Sequence, residues 1–119
     1  MTDKEITIQM QLEAIKVSYI ASLSEKRDVI DQHWQSLKAD WLADTFDAVY
    51  LVIHGLAGSA ETFGFPDITR QARKVVDQFK QLKSHAPPDD SGFISEIDQE
   101  IQTLLIIMEN TSPKQDSEI

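Results

Sequence analysis

The sequence predicts an all-α protein, an up-and-down antiparallel four-helix bundle with an additional N-terminal helix. Three observations lead there. Apolar residues recur at steps of three and four along most of the chain, the spacing of one helix face. No stretch shows the alternating pattern of a strand. The four Gly and four Pro fall at a few points, so long segments are free to be helical.

The elements are read in chain order. Ile8, Leu12, Ile15 and Tyr19 define a first helix from about Ile6 to Ala21. Ile20, Leu23, Ile30, Trp34 and Leu37 follow at a shifted phase, giving a second helix from about Ser24 to Lys38. Serines near the phase change can cap a new start, although the two helices could also join as one bent rod. Asp44 is a candidate cap for the next helix, whose stripe is Phe46, Val49, Ile53, Leu56, Ala60 and Phe63. Gly64 is placed to end that helix in a left-handed conformation, and Pro66 suits the first turn of its successor. Ile68, Ala72, Val75, Phe79 and Leu82 form the next inward face. His85-Ala86-Pro87-Pro88 breaks the pattern, and Asp89, Asp90 and Ser91 offer caps for a last helix. Its stripe is Ile94, Ile97, Ile101, Leu104 and Met108. Short connections between the later helices favour antiparallel neighbours.

Composition narrows the function. The 119 residues are 41% hydrophobic and 26% charged. That balance supports one core and one domain, expected over residues 1–110, with a flexible polar tail at 111–119. Without cysteine there are no disulfides and no thiolate metal sites, as suits a reducing cytoplasm. Met1-Thr2-Asp3-Lys4-Glu5 lacks a signal peptide's apolar run, and Leu104 to Met108 is too short to span a bilayer. A soluble, cytoplasmic protein with no membrane partner is expected. The net charge of −9 opposes nucleic-acid binding. Arg70, Arg73, Lys74, Lys80 and Lys83 read as a solvated basic face. No Glu and His sit at the inward spacing of a metal-binding bundle, so no metal is expected.

Chemistry concentrates in the segment from His54 to Pro66. It holds two glycines, Gly55 and Gly58, inside a helix. Each costs about 1 kcal/mol there relative to alanine. His54 lies about 120° from the centre of the apolar stripe, on a flank that faces solvent or a partner. Gly58 is one turn along the same flank, and its missing side chain lets another macromolecule approach the imidazole. Tyr50 and Leu51 add apolar surface nearby. His33, beside Trp34, is expected to fill a groove, and His85 has no partner at metal-ligand spacing. Trp34, Trp41 and the Phe residues read as core. Asp40, Asp44 and Asp47 read as caps and first-turn charges.

This segment resembles the signature of histidine-containing phosphotransfer (HPt) domains of two-component phosphorelays. In those domains a helical histidine is followed by an apolar residue, a basic residue, glycine and small residues. Here the run is His54-Gly55-Leu56-Ala57-Gly58-Ser59, closing at Gly64, and the bundle from Leu12 to Met108 is similar to the family's architecture. The resemblance implies that His54 accepts a phosphoryl group through its outer ring nitrogen. Ala57 stands where the family commonly has Lys or Arg.

The resemblance further implies that Tyr50, Leu51, Gly55 and Ala57 dock a response-regulator receiver domain or hybrid histidine kinase. The chain is then a monomeric carrier rather than an enzyme. It binds no cofactor itself, and Mg²⁺ belongs to the receiver. With Ala57 neutral, the facing flank of the next helix, with Thr69, Arg73, Val76 and Lys80, is the place to look for a cation. Counting along the helix pair from Gly64 suggests Arg73 for the phosphoryl charge. Two alternatives stand beside this reading. One is an HPt-like adaptor that binds a receiver or kinase without carrying phosphate, and the other is a structural or dimerising helical bundle.

Overall fold

The structure is a computed structural model that describes residues 2–82 and 91–111. These residues form four α-helices: α1 (Asp3–Ala39), α2 (Ala43–Phe63), α3 (Pro66–Lys80) and α4 (Ser91–Thr111). Among them there is no strand.

α1 corrects the expected N-terminal arrangement. The separate N-terminal helix and the first bundle helix are one continuous helix of 37 residues. At ~1.5 Å per residue it is about 55 Å long. It sets the 60 Å long axis of the molecule. A capping box starts it. The Thr2 hydroxyl accepts from the Glu5 amide (3.1 Å), and the Thr2 amide donates to the Glu5 carboxylate (2.8 Å). Ser22, near the expected phase change, caps nothing. Its hydroxyl donates to the Tyr19 carbonyl and accepts from Lys26, both within the helix. At ~100° per residue, Leu12, Tyr19, Leu23 and Ile30 share one ~40° sector, so the face continues through the junction.

That face has two fates. Tyr19, Leu23, Ile30, Trp34 and Leu37 are buried against the other helices. Every side chain from residue 3 to 18 is exposed, Leu12 at 61% and Ile15 at 49%. Ile8, Leu12 and Ile15 keep the apolar spacing of this face but are not buried. The reason is reach. Tyr19 already stacks on Phe63 and Phe65, at 4.6 and 5.6 Å between ring centroids, where α2 ends and α3 begins. Beyond this level no described helix covers α1.

The remaining bundle follows its stripes. Phe46, Val49, Ile53, Leu56 and Ala60 from α2 meet Ile68, Ala72, Val75 and Phe79 from α3 and Ile97, Ile101, Leu104 and Met108 from α4. Trp34, fully buried, packs on Phe79 at 6.0 Å and on half-buried Trp41 at 6.4 Å. The Trp34 indole donates to Asp98 (2.8 Å), and Lys38 donates to the same carboxylate oxygen (2.8 Å), tying α1 to α4. Burial pushes the Asp98 carboxyl up, but these donors and the Lys38 charge outweigh it, and it stays below its ordinary value. Contacts of Trp34 with Asp98 and of Arg27 with Glu109 run α1 and α4 antiparallel.

The helix ends depart from expectation at several places. Leu42, not Asp44, holds the cap position of α2 and makes no side-chain cap bond. Asp44 lies in the first turn, where its charge favours the positive end of the helix. Asp40 closes α1 as its C-cap. Gly64 ends α2 at φ 82° and ψ 39°. Glycine adopts this left-handed conformation without steric cost. Pro66 opens α3. Thr111, expected in the tail, belongs to α4, and Ser91 is the first residue of that helix. Asp89, Asp90, Lys83, His85 and its neighbouring prolines, and residues 112–119 lie outside the described residues.

Candidate functional site

The site is built on the middle of α2. Ile53 and Leu56 bury one face of this helix almost completely, and that anchoring fixes the orientation of the opposite flank. His54, Gly55 and Gly58 are exposed there. The His54 ring lies against the half-buried Tyr50 one turn back, at 5.8 Å between centroids and 31° between planes. Among the described residues no hydrogen bond or ion pair holds the imidazole, so neither ring nitrogen is blocked within the fold. Leu51, 66% exposed, widens the apolar surround.

Gly58 lies one turn from His54 on the same exposed flank. A Cβ built on it, or on Gly55, would meet no atom within 4 Å. Internal packing therefore does not require glycine at either position, although glycine costs helix stability there.

The turn around Gly58 is braced. Thr62 donates to the Gly58 carbonyl (3.1 Å), and Ser59 donates to the Leu56 carbonyl (3.2 Å). With its proton so engaged, the Ser59 hydroxyl accepts from the Tyr19 phenol (2.7 Å), which ties α1 to this turn. Burial raises the Tyr19 phenol above its ordinary value, against the smaller opposing pull of that hydrogen bond.

A groove of about 310 Å³ runs between α2 and α3 beside the imidazole. His54, Ala57 and Gly58 form its α2 wall, and Arg73, Val76, Asp77 and Lys80 form the α3 wall. Ala57 is 6% exposed, so it is part of the wall and offers a partner almost no surface. The docking role expected of Ala57 does not fit its position. Arg73 reaches the groove, but its guanidinium is bonded to Glu61 of α2. Arg73 lines the groove together with His54, and the Glu61 carboxylate that holds it lies two turns along α2 from His54. Helical phase puts Lys80 on this flank as well, but phase alone does not give its level.

The other histidines are accounted for differently. His33 Nδ1 hydrogen-bonds the Val29 carbonyl one turn back (2.8 Å) in a half-buried position. Among the described residues no group of three or more His, Cys, Asp or Glu side chains could hold a metal ion. No helix among them is long and apolar enough to cross a membrane.

The site thus combines an exposed imidazole with a neighbouring glycine that has open space above it. In comparison with protein families, the Hpt domain model matches residues 15–106, and the chain belongs to that family. No match was found among curated proteins or among solved structures.

Proposed function

We propose that this chain is a histidine phosphotransfer protein that relays a phosphoryl group between phospho-aspartate receiver domains through phospho-His54. The observation that carries this reading is His54 itself, exposed and unengaged beside a glycine with open space above it. Family membership supports the reaction class.

The chemistry is a displacement at phosphorus. A neutral imidazole carries a lone pair on one nitrogen and a proton on the other. The Nε2 lone pair of His54 attacks the phosphorus of the partner's aspartyl phosphate. A P–N bond forms, the P–O bond to the aspartyl carboxylate breaks, and the carboxylate leaves with that electron pair. Nδ1 keeps its proton throughout. The reverse sequence delivers the group to a second receiver.

This chain supplies position and access, while the receiver brings Mg²⁺ and most of the charge stabilisation. The chain is thus a carrier and co-substrate rather than an enzyme. Tyr50, Leu51 and Gly55 form the docking surface around the imidazole, and Gly58 admits the receiver's reacting end.

Incubation of the wild type and His54→Gln with phosphorylated receivers, followed by peptide mapping, tests this. Acid-labile phosphate on the His54 peptide of the wild type alone is the expected result. A stable complex without label would establish an adaptor instead. Neither label nor complex would leave a structural bundle.

A further inference from the structure

The groove beside His54 contains two cations in different situations. Arg73 is engaged by Glu61. Lys80 is exposed and makes no ion pair or hydrogen bond among the described residues. We propose that Lys80 is the cation that binds the phosphoryl group carried by His54, an inference that rests on the phosphocarrier reading above.

The helix register carries the argument. The Glu61–Arg73 pair spans α2 and α3 and so shows one cross-helix reach that side chains of this flank make. Seven residues are close to two helical turns, so a step of seven returns to the same flank about 10.5 Å further along the axis. Seven residues back from Glu61 is His54. Seven residues on from Arg73 is Lys80. The two helices run in opposite directions, so both steps lead to the same end of the bundle. His54 therefore stands toward Lys80 as Glu61 stands toward Arg73, and both residues line the one groove.

An anion placed on His54 completes a second cross-helix pair that repeats the first. The unphosphorylated imidazole offers Lys80 no negative charge, which leaves the ammonium without a described partner in this state. An ammonium on a four-carbon stem adapts to a phosphoryl group as a mobile point charge with three donors.

The neighbouring charges increase the need for such a cation. Asp77 lines the same groove and repels a phosphoryl dianion. Ala57, where the family resemblance implies a basic residue, is neutral and buried. The positive charge missing from α2 is thus supplied by α3.

The test loads His54 with phosphoramidate, a small phosphoryl donor that requires no receiver, and follows the second ionisation of the phosphoryl group by ³¹P NMR. A neighbouring ammonium favours the dianion. Lys80→Ala should therefore weaken that acidity, lowering the dissociation constant roughly two- to fivefold, the range of an exposed ion pair. Lys80→Arg should retain the wild-type value, and Arg73→Ala should leave it unchanged. Helical content measured alongside shows that each variant is folded.

An unchanged constant in Lys80→Ala, or a larger effect in Arg73→Ala, overturns the proposal. If phosphoramidate fails to load wild-type His54, both this proposal and the phosphocarrier reading fall. If loading and the Lys80 effect are found but no receiver transfers to His54, only the relay reading falls.

Discussion

Gly58→Ala adds a single methyl group to the exposed flank of α2, one turn from His54. The new Cβ meets no atom within 4 Å, so it strains nothing in the fold. It also removes the entropic cost of a mid-helix glycine. That change is worth about 1 kcal/mol, which for a domain of this size raises the melting temperature by roughly 4 °C. The same methyl stands about 6 Å along the helix axis from the imidazole, on the surface that a receiver approaches in the proposed relay. Displacing the reacting groups by the thickness of a methyl is expected to slow transfer between about tenfold and a hundredfold. Thermal unfolding by circular dichroism and single-turnover transfer from a phosphorylated receiver measure the two effects separately. The reasoning requires stability to rise while the transfer rate falls. A stabilised variant that accepts phosphate at the wild-type rate would refute the access role of Gly58. A destabilised variant would refute the open space above it.

Gly64→Ala should behave in the opposite sense. The φ of 82° at this position puts an L-residue in the left-handed region, although the added Cβ touches nothing. A loss of about 1–2 kcal/mol in urea unfolding is expected from that conformation alone. Asp98→Asn should destabilise the protein at neutral pH by weakening the bonds from Trp34 and Lys38. The Asp98 carboxyl titrates lower in the folded protein than in the unfolded chain. Its contribution is therefore present above the ordinary value of 3.8 and lost as pH falls through the lower folded value. Urea midpoints of the wild type and Asp98→Asn should converge in that acid range; a gap of constant size across pH would contradict it. Deleting residues 3–14 removes no buried side chain. It should cost about 0.5 kcal/mol or less in urea unfolding, the range of surface changes.

The inner stripes of α2, α3 and most of α4 were legible because each helix buries one face along its whole length, so spacing and burial coincide. Gly64 and Pro66 marked the turn by backbone chemistry that needs no tertiary information. The first helix misled for a physical reason. Periodicity tells which face is apolar, but not how far the neighbouring helices extend, and Ile8, Leu12 and Ile15 keep the spacing beyond the point where anything covers them. The start of α2 differs because Asp44 is a good cap by type, whereas Leu42 occupies the position. At the site, the exposure of His54 and Gly58 was legible from helical phase. The Glu61 partner of Arg73 was not, because which side chains pair across two helices is set by their packing.

The overhang of α1 has a consequence for amide exchange along the helix. From Asp3 to Ser18 every side chain is exposed and, apart from the Lys16 ammonium over the Phe65 ring, little holds the stretch to the bundle. Its backbone bonds therefore open by local fraying at a small fraction of the global unfolding energy. From Tyr19 onward the same ladder is clamped by ring stacking and core contacts, and opening there requires the bundle to open. A single helix, uninterrupted in geometry, is thus divided in protection from solvent deuterium, and the boundary falls at the tyrosine that also braces the turn bearing Gly58.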